Sequence, residues 1–99
     1  MTDSKQANER LLSFVTDSSG AMVSIHADLE GVKFLIAELE SIRESLEEND
    51  CPHTHLFVTD DGTELTGTKL HNQPNEENIV HHVKIYGWNE EWAVKHNLK

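Results

Sequence analysis

Seven histidines among 99 residues, with His53-Thr54-His55 and His81-His82 close in sequence, are the residue types and spacings here that most invite chemistry. Imidazoles two apart on a strand project from one face, and a third from a neighbouring strand would complete a three-histidine zinc site. Strand parity sends His53, His55 and Phe57 away from Leu56 and Val58. If Val23, Ile25 and Ala27 face a covering helix, His26 points away from it. If Val83 and Ile85 do likewise, His82, Lys84 and Tyr86 point away too. These parities gather His26, His53, His55, Phe57, His82 and Tyr86 on one uncovered sheet face. Three uses fit such a face: structural histidines bonded to neighbours or water, a protein contact, or a metal site. The sequence holds no helical histidine pair around a glutamate and no paired-cysteine motif, so the reading assigns no metal and no cofactor.

Other catalytic templates are weaker. Asp60-Asp61-Gly62-Thr63-Glu64 is a turn lined with carboxylates, which repels phosphate instead of cradling it. Ser13, Ser18, Ser19 and Ser24 sit in no glycine-flanked elbow, and acid pairs such as Glu76-Glu77 and Glu90-Glu91 read as solvated charge. The reading is therefore of a non-enzyme. The lone cysteine, Cys51, cannot form an internal disulfide, and no apolar run approaches a signal or membrane segment. A cytoplasmic protein is expected.

Charge narrows the partner classes. Eight Lys and Arg against eighteen Asp and Glu give a net charge of −10, which disfavours nucleic acid and anionic membrane surfaces. A basic protein partner is favoured instead, although the same carboxylates would also serve solubility alone. The free protein is expected to be a monomer or weak homodimer.

Residues 1–9 read as a flexible N-terminus and 10–99 as a single domain. A hairpin is expected from Arg10–Thr16 and Ala21–Asp28 around the turn Asp17-Ser18-Ser19-Gly20, with a short helix over 5–15 as the competing reading of the first arm. The clearest element runs from about Leu29 to Glu48, capped by Asp28, with Val32, Leu35, Ile36, Leu39, Ile42 and Leu46 forming its core-facing stripe. Phe34 projects opposite that stripe, covered by a loop or terminus or serving as an interface anchor. His53–Thr59 reads as a strand returning through Asp60-Asp61-Gly62 to an antiparallel Thr63–Leu70, with Gly67 a bulge candidate. A loop over His71–Asn78 leads to a strand over Ile79–Tyr86, and Trp88 and Trp92 flank a short helical turn. The fold class is α+β: one long amphipathic helix on a mostly antiparallel sheet of four to five strands, with a short C-terminal helical turn.

The stretch Glu30-Gly31-Val32-Lys33-Phe34-Leu35, continuing through Ala37-Glu38-Leu39 to His53-Thr54-His55-Leu56, resembles the immunity protein 32 family of bacterial polymorphic toxin systems. Gly62-Thr63-Glu64-Leu65-Thr66 and Ile79–Ile85 correspond to its later pieces, so the resemblance covers roughly residues 22–86. The N-terminal arm, the long 68–78 loop and the tryptophan-bearing C-terminus depart from the pattern. The resemblance implies a non-enzymatic inhibitor, as in contact-dependent inhibition, that binds and blocks a cognate toxin domain. Many such toxins are nucleases with basic grooves, to which an acidic binder is drawn. The candidate contact residues are the aromatics Phe34, Phe57, Tyr86, Trp88 and Trp92, the histidines His53, His55 and His82, and the rim carboxylates of Glu40, Glu44, Glu47, Glu48, Asp60, Asp61 and Glu64. The alternative is a small zinc-binding protein or metal-dependent enzyme using the histidine face.

Overall fold

The chain turns first at Asp17-Ser18-Ser19-Gly20, where Gly20 takes φ +77° and the Asp17 carboxylate accepts from the Ala21 N–H at 3.0 Å. The turn joins β1 (Leu12–Thr16) to β2 (Val23–Ala27) as an antiparallel hairpin in register from Leu12↔Ala27 to Thr16↔Val23. The competing helix is thus overturned across residues 12–15, because Leu12 and Val15 are fully buried in strand geometry and paired with β2, Val15 also with Ile79 on its other side. The computed structural model describes residues 10–48 and 50–99, so the flexible segment expected over 1–9 lies outside the described residues.

Helix α1 (Leu29–Glu47) begins as expected, with the Asp28 carboxylate accepting from the Gly31 N–H at 2.8 Å and Glu30 in the first turn. Its orientation differs from the apolar stripe. Val32, Ile36 and Leu39 are 43%, 51% and 46% exposed, whereas Gly31 and Ile42 are buried and Phe34 and Leu35 pack against the core. The cause is Gly31: its missing side chain lets the helix lie directly on the Leu11 carbonyl and the Ala27 methyl. That contact turns the core-facing line roughly 60° from the centre of the hydrophobic stripe. Phe34 therefore packs inward beneath the Arg10 guanidinium, 3.9 Å from its ring centroid. It is covered by the chain leading into β1, which removes it from the candidate contact surface.

The second half departs from a single sheet. Asp60-Asp61-Gly62 turns, with Gly62 at φ +69°, but Thr63–Leu70 does not return as an antiparallel strand. Leu65 makes one parallel bridge to Val58, donates its N–H to the Phe57 carbonyl at 3.0 Å, and is fully buried. The next N–H, of Thr66, donates to Leu12 at 2.7 Å. One short segment thus ties two sheets together, and Gly67 is no bulge. The strand expected over Ile79–Tyr86 is divided: β4 (Asn78–Ile79) pairs with β1, and β5 (His82–Tyr86) pairs antiparallel with β3 (His53–Phe57). The sheets are β2-β1-β4 and β3-β5, joined at a core of Leu12, Leu56 and Leu65. Helix α2 (Glu90–Lys95) closes the order, its Asn89 cap accepting from the Trp92 N–H at 2.9 Å.

Candidate functional site

Pairing in the β3-β5 sheet sets His53 opposite Tyr86, His55 opposite Lys84 and Phe57 opposite His82. Cross-strand partners share a face, and Leu56 is buried on the other one, so these side chains project together away from the core. The result is a continuous line of rings. Phe57 stacks on His82 at 4.2 Å between centroids, His82 on His55 at 5.0 Å, His55 meets His53 edge-on at 5.0 Å, and His53 stacks on Tyr86 at 5.5 Å. Beyond β5, Gly87 is buried against Ile42 and Leu46, where a Cβ would stand 2.5 Å from an Ile42 methyl. This close approach lets the chain turn without leaving the sheet. Trp88 then continues the line 6.1 Å from Tyr86, and α2 adds His96 and Trp92, stacked at 5.3 Å. Phe57, Tyr86, Trp88 and Trp92 are all exposed.

The line contains its own polar chemistry. His55 Nδ1 and His82 Nε2 lie 2.8 Å apart, so one ring donates its N–H to the lone pair of the other. Partial desolvation, and then the charges of His53, His82 and Lys84, hold His55 below the ordinary histidine pKa of 6.5. The neutral imidazole is therefore the resting form of His55 at neutral pH. Lys84 lies over the Tyr86 ring at 5.1 Å and Lys95 over Trp92 at 4.8 Å. Among the described residues, no group of three or more His, Cys, Asp or Glu side chains is placed to hold a metal ion.

Of the sequence candidates, His53, His55, Phe57, His82, Tyr86 and Trp88 come together on this face. His26 does not, although its parity within β2 matched: it belongs to the other sheet and bonds through Nε2 to both oxygens of Glu76, at 2.9 and 3.0 Å. Parity assigns a face within one sheet and carries no information about which sheet a strand joins. Glu40, Glu44 and Glu47 are exposed on α1, with Glu47 3.9 Å from Arg43. They stand on the helix side of the β3-β5 sheet, where Thr54 donates to Glu38 at 3.0 Å, and so do not rim the rings. Asp60 and Asp61 line an open cleft of about 450 Å³ beside Arg10, Asp28 and Thr66. Bonds from the Thr63 hydroxyl and N–H hold the Asp61 carboxyl below its usual range. Closer to the rings is Glu64, which accepts from the Phe57 N–H at 2.8 Å. His96 was not legible as a member of the line; its only sequence signal is its position four after Trp92 in a short helical segment. Glu76 was also missed, a buried carboxylate in what reads as a polar loop.

The chain shows no match to any protein-family model, curated protein or solved structure compared with it. Among the described residues no helix is long and apolar enough to cross a membrane.

Proposed function

We propose that this protein is an immunity-type inhibitor: a non-enzymatic binder that docks the exposed ring line of β3, β5 and α2 onto a basic domain of a cognate bacterial toxin, of nuclease type, in the cytoplasm. The observation that carries the reading is the line itself, eight exposed aromatic and imidazole rings in contact across two strands and a helix. Large, stiff rings lose little conformational entropy on contact and dominate the energetics of protein interfaces. The net charge of the whole molecule supplies direction. At −10 overall, the molecule attracts a cationic groove over a Debye length and accelerates encounter, while the rings, once desolvated, slow dissociation.

The test is co-purification with the toxin domain encoded beside this gene, followed by binding kinetics. The association rate is expected to fall about tenfold between 50 and 500 mM salt. Separate Phe57→Ala and Trp88→Ala variants should each raise the dissociation rate about tenfold or more, whereas Glu44→Lys, on the far side, should alter mainly association. Binding indifferent to both ring truncations, or no binding to the neighbouring toxin domain, would overturn the proposal.

A further inference from the structure

Four rings of the exposed line are imidazoles, those of His53, His55, His82 and His96, and histidine is the side chain whose charge ordinarily changes between pH 5 and 8. What a proton does there depends on the charges already facing the rings. Lys84 stands opposite His55 in the β3-β5 register and Lys95 lies over Trp92, so permanent cations flank the line on both β5 and α2. The nearby carboxylates have other partners. Glu64 accepts from the Phe57 N–H, and Glu90 at the start of α2 is held by Lys99 at 2.6 Å, with Glu91 exposed beside it. Among the described residues the one histidine in an ion pair is His26, on the other sheet, so a charge acquired by the ring line is not offset by a paired anion.

The His55–His82 pair is the sensitive point. Nδ1 of His55 and Nε2 of His82, 2.8 Å apart, share one N–H, with the lone pair of the second ring as acceptor. A first added proton goes to the far nitrogen of the donor ring, leaves this bond in place and makes it charge-assisted. A second would set two N–H groups against each other across the same gap and break it. The pair therefore takes up one proton as a unit and resists another, and its two titration steps belong to both rings together.

We propose that these histidines make docking proton-linked: the neutral ring line accepts a basic partner at about pH 7.5, and the same line, charged at the His55–His82 pair, His53 and His96, releases it at about pH 5.5. The inference rests on the toxin-binding reading and adds its regulation. When a cationic groove closes over the rings, each proton on them is either expelled or held against like charge in a desolvated contact. Linkage fixes the sign. The free chain binds more protons than the complex, so affinity falls as pH falls. The long-range field does not reverse in the process: with all seven histidines protonated the net charge is −10 + 7 = −3, still attractive to a basic partner. Release is thus a property of the face and not of the whole molecule.

Two measurements test this. In the free chain, nuclear magnetic resonance titration of the histidine ring protons should show one proton taken up jointly by His55 and His82 and the second only at distinctly lower pH, a readout that needs neither partner nor variant. With the toxin domain encoded beside this gene, affinity should fall about tenfold or more between pH 7.5 and 5.5. Whatever its affinity at pH 7.5, a His55→Gln/His82→Gln variant should show a smaller ratio between the two pH values, and adding His53→Gln and His96→Gln should shrink it further; all four sites are exposed, and circular dichroism checks the fold. Titration of His55 and His82 as two isolated imidazoles, equal affinity at the two pH values, or a ratio unchanged by the four substitutions, which would put the titrating groups on the partner, would each overturn the proposal. Absence of a complex at pH 7.5 would instead overturn the toxin-binding reading, and the proposal with it.

Discussion

At Gly31 two local effects oppose each other, and the tertiary contact decides the sign. Intrinsic propensity favours alanine over glycine inside a helix by about 1 kcal/mol. A Cβ at this position, however, would overlap the Leu11 carbonyl oxygen and press on the Ala27 methyl, and neither backbone can give way without separating α1 from the hairpin. Gly31→Ala is expected to lower stability by about 2 kcal/mol or more in urea titration, the reverse of the propensity effect. Glu76 offers a pH-dependent test. Burial alone would raise its pKa, but bonds from His26, the Leu70 N–H and Ser24 outweigh burial and hold it below its ordinary 4.5. A depressed folded pKa means that this carboxylate stabilises the fold above its unfolded value and that the contribution fades as pH falls through the folded one. The urea midpoint should therefore drop between about pH 5 and pH 3, and Glu76→Gln should flatten the drop in that window.

Helix α1 illustrates how an element is delimited locally and oriented globally. Its start follows from the Asp28 carboxylate bonded to the Gly31 N–H, which also holds that carboxyl below its usual range. Asp28→Ala should cost about 1 kcal/mol, with Asp28→Asn retaining most of the stability because an amide oxygen can accept the same bond. Thermal or urea unfolding of the two variants separates the cap from the charge. The face α1 buries, by contrast, follows from Gly31 and Gly87, which admit the helix at each end, against Leu11 and Ala27 at one and through Ile42 and Leu46 at the other. Glycine carries no hydrophobic signal, so a wheel of apolar residues ranks Val32, Ile36 and Leu39 as core when they are surface. The division of the expected final strand has a similar origin. Ile79 and His82–Tyr86 have continuous β character, yet their partners, β1 and β3, belong to different sheets.

For the molecule as a whole, Leu65 is the joint. It is fully buried, bridges to Val58, and precedes the N–H of Thr66 that donates to Leu12, so both sheets lean on one residue in an irregular segment. Leu65→Ala should remove about 3 kcal/mol. Both sheets should still unfold in one transition, with tryptophan fluorescence, reporting on Trp88 and Trp92, coincident with far-ultraviolet circular dichroism. A lag between the two probes would mean that the sheets are separate cooperative units. The −10 charge also acts at this scale, since it is spread over α1, the Asp60-Asp61 turn and the start of α2, of which only the last adjoins the rings.

What the sequence determined by itself was whatever depends on neighbours along the chain: the hairpin turn at Gly20, the Asp28 cap, the extent of α1, and the shared face of His53, His55 and Phe57. These follow from backbone conformation and side-chain period, which a local stretch carries within it. The partner face of His82 and Tyr86 was legible for the same reason, once β3 and β5 were taken as strands. Tertiary structure alone decided that the described strands divide between two sheets, that His26 serves a buried Glu76 and stands apart from the ring line, that Phe34 is covered, and that His96 joins the rings. Each of these depends on which distant segments pair and where two glycines permit close approach, and a strand's alternation or a helix's stripe reads the same whichever partner it meets.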